Sequence, residues 1–334
     1  MRLCLSLPLL LVSAALAQAQ FPQPDGGDLQ PGILPVMWNT GGPKCMEMPE
    51  WQIHEYNPNL FILRQSGCTD YEMPFLYLFF GKDKGLLWDT GSRNGNLAPA
   101  LQHVVHDWLK RNDRTSVPLI VMHSHSHEDH VWGDTAVQAL SDPAIPITFV
   151  APTIDAAAKF FSIDPWPTGL GHVDLGERVL NIIPIPGHDR YDVALYDRMT
   201  GIVLTGDNLY PGRLYIADFP AFKTSTERLI AFLDGKPVAY VLGNHIEETG
   251  TPFKDYPIGS IYHPHEHRLE LSFGDLLALE DGLKSMQAAP HRMAMSDFTL
   301  WPHEPEQPGQ DELLRRTLKQ TQEEQLRNKW DQPH

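Results

Sequence analysis

Much of the recognisable chemistry in this sequence lies between His123 and His130, where four histidines and two acidic residues occupy eight positions. Neutral imidazole is a strong ligand for Zn²⁺, and a carboxylate adds negative charge to the same site. The run directly follows an apolar strand pattern, and residues two apart in an extended backbone point the same way. His125 and His127 can therefore bind one ion together. Asp129 and His130 lie where the chain turns, and they would point toward a second ion.

Four further candidates follow short apolar runs elsewhere in the chain: Asp89, His188, Asp207 and His245. Taken alone, each has an ordinary interpretation as a turn former, a cap or a surface histidine. Asp89 stands in an Asp-Thr-Gly tripeptide, which also occurs in aspartic proteases, but those enzymes need two such aspartates and this sequence has one. Together with the histidine-rich run, the four residues favour a metal centre assembled from distant loops.

The run from His125 to His130 resembles the H-x-H-x-D-H motif of the metallo-β-lactamase superfamily. Gly133 stands where that family usually has a glycine opening the next helix. The contexts Leu87-Trp88-Asp89-Thr90-Gly91, Ile185-Pro186-Gly187-His188, Leu204-Thr205-Gly206-Asp207 and Leu242-Gly243-Asn244-His245 resemble its other motifs, in the same order. The resemblance covers roughly residues 57–250, which is most of the chain.

This resemblance implies a role for each motif residue. The first of two divalent metal ions would be bound by His125, His127 and His188. The second would be bound by Asp129, His130 and His245, and Asp207 would bridge both ions. Asp89 would orient a ligand histidine without touching metal, since such histidines need a partner on their other ring nitrogen. Zinc is the metal that these donors favour, although iron and manganese accept the same set.

The function that follows is hydrolysis of a small carbonyl substrate by a hydroxide held between the two metals, with Asp129 taking up the proton. A bridging aspartate resembles glyoxalase II and lactonases more than the lactam-cleaving members, so a thioester, lactone or related ester is the expected substrate. The alternatives are a secreted metallo-β-lactamase, a phosphodiesterase, a non-catalytic metal-binding protein, and an oxygenase using one iron ion. We expect Tyr210, Tyr215 and His263 to line the substrate pocket.

The elements that must position these residues are read from apolar runs and helical spacing. Strands are predicted at residues 60–63, 75–80, 85–88, 119–122, 147–150, 173–175, 179–185, 193–196, 202–204 and 238–242, with a hairpin turn over 82–85. Helices are predicted at residues 97–109, 133–140, 153–161, 224–233, 274–286 and 310–329. Two strand-rich halves with helices outside indicate a four-layer αββα sandwich of the α/β class.

Four segments follow from this pattern. Residues 1–19 contain Arg2, an apolar run and an Ala-x-Ala site ending at Ala19, which is typical of a secretory signal peptide and predicts a secreted or periplasmic protein. Residues 20–56 are rich in proline and glycine and are predicted to be an extended lead-in. Residues 57–250 form the catalytic domain. Residues 251–334 form a largely helical extension packed on it.

Charge and cysteine content limit the partners. The formal net charge of -16 disfavours a nucleic-acid partner, and no segment after the signal peptide is apolar enough to insert stably into a membrane. The expected partner is a small-molecule substrate, and the oligomeric state is open. Cys45 and Cys68 are a candidate disulfide in an oxidising compartment, with two separate buried thiols as the equal alternative.

Overall fold

A computed structural model describes residues 29–41, 48–286 and 289–302, and its first six strands form one mixed sheet in chain order. The strands are β1 (Trp51–Asn57), β2 (Leu60–Gln65), β3 (Phe75–Phe80), β4 (Gly85–Trp88), β5 (Leu119–Met122) and β6 (Ile147–Phe149). β1 to β4 pair antiparallel, whereas β5 pairs parallel with both β4 and β6. Most of these strands are buried on both faces, as expected for the middle of a sandwich.

The second half of the chain forms a second six-stranded sheet and a small third one. In spatial order, the second sheet contains β13 (Glu270–Leu271), β12 (Tyr240–Leu242), β10 (Ile202–Leu204), β9 (Val193–Asp197), β8 (Val179–Pro184) and β7 (Gly171–Asp174). β10 and β12 run parallel. The third sheet contains β11 (Arg213–Ile216), β15 (Thr299–Pro302) and β14 (Met293–Ala294), in that order.

Three apolar clusters define the layers. The first fills the space between the two large sheets, with Phe75 and Leu195 among its members. The second packs helices α5 (Phe219–Leu233) and α6 (Phe273–Met286) onto the outer face of the second sheet. The third packs α1 (Leu97–Arg111) onto the outer face of the first sheet. Helix, sheet, sheet and helix therefore follow one another, which confirms the predicted αββα sandwich.

Most predicted elements are present with shifted ends. The helix predicted at 133–140 is α3 (Asp134–Gln138), preceded by the single turn α2 (Glu128–Val131), and the helix at 153–161 is α4 (Ile154–Phe161). The helix predicted to start at Thr224 starts at Phe219, because the Asp218 side chain accepts a hydrogen bond from the Ala221 backbone N–H and caps it. The hairpin turn over residues 82–85 joins β3 to β4 as predicted.

The two ends of the chain carry strands that the sequence analysis did not predict. β1 lies in the segment expected to be an extended lead-in, and it forms one edge of the first sheet. The region after residue 250 contains β13, β14 and β15 besides α6, so its described part is a mixture of strands and helix. The signal peptide, Cys45 and the helix predicted at 310–329 lie outside the described residues. Cys68 is disulfide-bonded. Within the described ranges, no helix has both the length and the apolarity needed to cross a membrane.

A buried arginine ties the two large sheets together. Arg178, between β7 and β8, forms a salt bridge with the buried Asp197 of β9 at 2.6 Å. Its guanidinium also donates to the backbone carbonyls of Asn59, in the turn between β1 and β2, and of Phe80 in β3. A charge removed from water needs such a complete set of partners. Arg178 therefore fixes the sheets at the end of the sandwich where the β3–β4 hairpin lies.

Glu248 makes the stability of this fold depend on pH. Burial, and then the negative charge of Asp255, raise the pKa of Glu248 to about 7 from an ordinary 4.5. The folded state thus holds this proton more tightly than the unfolded state, so the stabilisation is complete below about pH 4.5 and is lost as pH rises through 7. We expect the melting temperature of Glu248→Gln, measured by calorimetry, to rise relative to that of the wild type as the pH increases from 5 to 8. Parallel curves for the two proteins would contradict this, and Asp281→Asn on the exposed face of α6 serves as the control.

Candidate metal centre

The ends of five strands bring the predicted ligands to one edge of the sandwich. Asp89 directly follows β4, and the run from His123 to His130 follows β5, which pairs parallel with β4. His188 comes after β8, Asp207 after β10 and His245 after β12. Because β10 and β12 are parallel, their carboxyl ends also meet at a common edge. The structure therefore gathers the seven predicted ligands from four loops, and a fifth loop, after β4, contributes Asp89.

Three histidines form the first group of candidate donors. His125, His127 and His188 each offer one ring nitrogen, and the three nitrogens lie within 4.8 Å of one another. His188 Nε2 lies 3.0 Å from His127 Nδ1, and the ring centroids of His125 and His127 are 4.6 Å apart. Since His127 is exposed, this group opens toward solvent. The pairing of His125 and His127 agrees with the expectation from their spacing.

The second group combines two carboxylates and two histidines: Asp129, His130, Asp207 and His245. Asp129 Oδ2 lies 3.2 Å from His130 Nε2 and 3.3 Å from His245 Nε2. Asp207 Oδ1 lies 3.4 Å from His245 Nε2. Two donors bound at ~2.1 Å to one tetrahedral ion lie about 3.4 Å apart, so these separations fit a shared cation.

Asp207 lies between the two groups. Its Oδ2 atom is 3.8 Å from His125 Nε2 and 3.7 Å from His188 Nε2 on one side, and 3.5 Å from His130 Nε2 on the other. Among the described residues, neither the buried His125 Nε2 nor the buried Asp207 Oδ1 has a hydrogen-bond partner. Buried polar atoms are normally satisfied, so these two atoms indicate a place that a cation would complete. The donor set fits two divalent ions with Asp207 shared between them.

Hydrogen bonds on the far side of the rings hold the histidines in position. His130 Nδ1 lies 3.1 Å from Asp89 Oδ2, His188 Nδ1 lies 2.7 Å from the Tyr215 carbonyl, and His245 Nδ1 lies 2.8 Å from the Glu72 carbonyl. A ring whose Nδ1–H donates to an oxygen presents an unprotonated Nε2 to a metal. These three contacts therefore select the tautomer that metal binding requires.

The electrostatics of the two groups differ. Burial lowers the pKa of His188 to about 4, and burial together with the neighbouring His130 lowers that of His125, so both rings are neutral ligands. Burial alone would raise the pKa of Asp207, but the charges of His245 and His130 outweigh it and hold that pKa well below its ordinary value. The carboxylates in turn raise the pKa values of both histidines against burial. Protons on the rings balance the carboxylates in the metal-free site, and metal binding would release them.

Asp89 has the position that the resemblance implied for it. It is fully buried, accepts hydrogen bonds from the Ser124 backbone N–H at 2.7 Å and hydroxyl at 2.9 Å, and accepts another from the Asn244 amide. Its backbone has a positive φ of 66°, which aims the carboxylate back toward the β5 loop. Asp89 thus connects the β4, β5 and β12 loops behind His130.

We expect Asp89→Ala to weaken metal binding without removing any ligand. Losing the outer partner of a ligand histidine typically reduces metal affinity about 10- to 100-fold. Competition with a chelator of known affinity would measure the change, and one of the two metals should be released at lower chelator concentration. Asp155→Ala, an exposed carboxylate of α4, should leave both affinities unchanged. Wild-type affinity in Asp89→Ala would refute the orienting role.

The three predicted pocket residues occupy different places. The Tyr210 ring is buried 5.5 Å from the His245 ring, and its hydroxyl donates to the Arg213 carbonyl, so it supports a ligand from behind. Tyr215 is partly exposed beside His188. His263 is buried and stacks on Tyr256 with ring centroids 4.2 Å apart. Its ring packs against Tyr256, and its place in a substrate pocket stays a prediction.

The loop between β2 and β3 also belongs to this site, although no sequence motif indicated it. The Glu72 carbonyl accepts from His245, and burial followed by the charge of Asp129 raises the pKa of the Glu72 carboxyl to about 8. Asn244 precedes His245 in its motif and had no predicted role, yet its amide joins Asp89 to the Phe75 carbonyl. An acidic residue in a loop without a motif gives no sequence signal, so Glu72 could not be found from its neighbours.

Comparison with known proteins agrees with this geometry. The family model of the metallo-beta-lactamase superfamily matches residues 72–245, which is more than half of the chain and includes every candidate ligand. The chain is 24% identical to the acyl-coenzyme A thioesterase MBLAC2 of Bos taurus over 239 residues, covering 61% of this chain and 85% of that protein. It is 30% identical to a hydroxyacylglutathione hydrolase of Anaeromyxobacter dehalogenans over 151 residues, covering 45% of this chain and 50% of that protein.

A solved structure is also similar. A metallo-beta-lactamase from Pontibacter korlensis is 19% identical, with a TM-score of 0.42 over 58% of this chain and 91% of that one. The family match and the order of the ligand motifs along the αββα sandwich establish the class: this chain belongs to the metallo-beta-lactamase superfamily. It is a hydrolase with the metallo-β-lactamase fold, and the resemblance stated from its motifs is confirmed.

Proposed function

We propose that this protein hydrolyses thioesters with two divalent metal ions held by the seven converging ligands. The position of Asp207 between the two donor groups is the observation that carries the proposal, because one carboxylate shared by two donor sets is what a dinuclear centre requires. The thioester class is favoured over lactones and other esters by two relatives, whose names specify acyl-coenzyme A and hydroxyacylglutathione as substrates.

The seven residues have three roles in the proposed reaction: binding one ion, binding the other, and accepting a proton. His125, His127 and His188 would hold one ion, and Asp129, His130 and His245 the other, with Asp207 common to both. When bound, the two ions supply Lewis acidity that lowers the pKa of water and polarises a carbonyl. Asp129, which His130 and His245 keep ionised, accepts the proton that water loses on attack. Asp207 keeps the two halves of the site at a fixed separation.

We propose zinc as the native metal, because imidazole and carboxylate donors in this number suit it. We also propose that the protein is secreted or periplasmic, on the strength of the apolar run and the Ala-x-Ala site before residue 20. Detection of the cleaved chain outside the cytoplasm, with a new N-terminus just after Ala19, would test that location.

The decisive experiment couples metal analysis to a substrate panel. The purified protein should contain about two metal ions per chain. It should hydrolyse acyl-coenzyme A or acylglutathione, with activity lost on chelation and restored by Zn²⁺. A lactone, a chromogenic cephalosporin and a model phosphodiester, tested at equal concentrations, represent the competing activities. Preference for any of these over both thioesters would overturn the proposal.

A further inference from the structure

The third sheet has one face in the core and one partly exposed face, and its strand β11 contacts the candidate ligand His188. Leu214 of β11 and Leu300 of β15 are fully buried in the cluster beneath α5 and α6. Side chains alternate along a strand, so Tyr215 and Trp301 lie on the opposite face. Both are partly exposed, in contrast to their buried neighbours.

On that face, three side chains form a row across the strands. Tyr215 and Trp301 are register partners in the parallel β11–β15 pair, with ring centroids 5.7 Å apart. Met293 pairs with Leu300, which places Arg292 beside Trp301. The Arg292 guanidinium lies over the indole, 3.8 Å from the ring centroid. We call Tyr215, Trp301 and Arg292 the aromatic row.

The aromatic row begins at the metal centre. The backbone carbonyl of Tyr215 accepts the hydrogen bond from Nδ1 of His188, so the strand that carries the first member of the row adjoins a candidate ligand. Neighbouring strands lie about 4.8 Å apart, so two strand spacings place Arg292 about 10 Å from the start of the row. A ligand reacting at the metals could thus extend along Tyr215 and Trp301 to reach Arg292.

Arg292 offers a positive charge at the far end. Its side chain is 56% exposed and lies 3.9 Å from the carboxylate oxygen Asp255 Oδ2. That oxygen already accepts from Arg213 Nη1 at 2.8 Å, and the buried Arg213 side chain also pairs with Glu247. Arg292 is therefore weakly paired, in a chain whose formal net charge is -16. An arginine stacked on an indole keeps its N–H edges free for bidentate contact with an anion.

We propose that the aromatic row binds the thiol portion of the substrate, and that this portion carries an anionic group that reaches Arg292. The inference rests on the proposed thioester hydrolysis and narrows its substrate to thioesters of anionic thiols. Tyr215 and Trp301 contact the uncharged middle of the thiol portion, and Arg292 binds its anion. That anion is a phosphate in coenzyme A and a carboxylate in glutathione.

The experiment compares three thioesters with the same acyl group, made with coenzyme A, glutathione and the uncharged thiol N-acetylcysteamine. Arg292→Gln should lower kcat/KM for at least one anionic thioester about 10-fold, since a hydrogen bond to a charged group is worth about that factor. It should change kcat/KM for the uncharged thioester less than about twofold. The loss should appear mainly in KM, because Arg292 lies away from the scissile bond. Whichever anionic thioester loses more identifies phosphate or carboxylate as the bound group.

Matched variants separate binding from a structural effect. Trp301→Ala should weaken binding of the same thioester that Arg292→Gln affects. Trp301→Phe should retain most of the wild-type binding. Arg111→Gln should have no effect. It also removes one positive charge, but Arg111 lies at the end of α1 and is paired with Glu55. Calorimetric titration of the metal-free protein with coenzyme A and with glutathione gives a readout that needs no activity. We expect Arg292→Gln to weaken binding of the preferred thiol about 10-fold.

The outcomes distinguish this inference from the proposed function. If the metal-loaded wild type hydrolyses none of the three thioesters, the proposed function fails, and the inference built on it fails with it. If it hydrolyses all three and Arg292→Gln affects them equally, or affects none, thioester hydrolysis stands and the role of the aromatic row is refuted.

Discussion

Asp207→Ala is expected to lose both bound metals and to reduce kcat/KM by about 10³-fold or more. The carboxylate lies within 3.8 Å of donor nitrogens in both groups, so its removal takes a ligand from each ion at once. Losing only the outer partner of a ligand costs about 10- to 100-fold in affinity or activity, and loss of a ligand shared by two ions must cost more. The variant should retain less than one metal per chain after dialysis.

Metal content by elemental analysis and thioester hydrolysis, measured on the same preparations, test this expectation. Without metal, removal of Asp207 also leaves His130 and His245 with one carboxylate less to balance their charge. We therefore expect both pKa values to fall, which histidine resonances in NMR titrations can follow. Asp218→Asn is the control, because Asp218 is exposed and asparagine is an equally good cap for α5. Two metals per chain in Asp207→Ala would contradict the proposal that Asp207 bridges the two ions.

The convergence of the candidate ligands could be predicted from sequence because metal chemistry tolerates few residue types. Each candidate stands in a loop that follows an apolar strand, and the strand ends determine where the side chains converge. The i and i+2 spacing of His125 and His127 indicated their shared group before any coordinates, and their donor nitrogens do lie together with that of His188. Asp207 was assigned the bridging position by resemblance alone, and the structure places it between the groups.

The third sheet could not be predicted, since its pairing is long-range. β11 and β15 are 83 or more residues apart in sequence and each contains four residues. β15 ends in Pro302, which reads as a strand breaker and is tolerated here at the end of a strand. β1 was missed for another reason. It is an edge strand with polar and exposed residues between Trp51 and Tyr56, so no apolar run marks it.

Residue type and sequence position alone do not determine which side chains line a pocket. His263 was a candidate because histidines cluster around it in sequence, yet burial, and then the charge of Arg64, lower its pKa to about 3. It is therefore a neutral packing residue between Tyr256 and Glu266. Tyr215 was a candidate because it follows Asp207 closely. Its neighbour across the sheet, Trp301, is separated from it by most of the C-terminal region, and no local pattern connects them.

Asp129→Ala should also lose activity, but with a different metal content. Asp129 contacts only the second group, through His130 and His245, while His125, His127 and His188 remain intact. We expect about one metal per chain and a fall in kcat of about 10³-fold, because a ligand and the proton acceptor disappear together. Asp129→Asn should show a similar loss, since its amide keeps an oxygen but cannot accept the proton.

The contrast between the two aspartates tests the division of roles directly. The Asp129 side chain is 21% exposed and that of Asp207 is 9% exposed, so Asp129 is the carboxylate more accessible to water and substrate. If Asp129 accepts the proton, excess Zn²⁺ should restore metal to Asp129→Asn without restoring kcat. If it serves only as a ligand, activity should return as the second site fills. Full activity in Asp129→Ala at any metal concentration would exclude both roles, and the proton would then have to leave by a path that avoids this carboxylate.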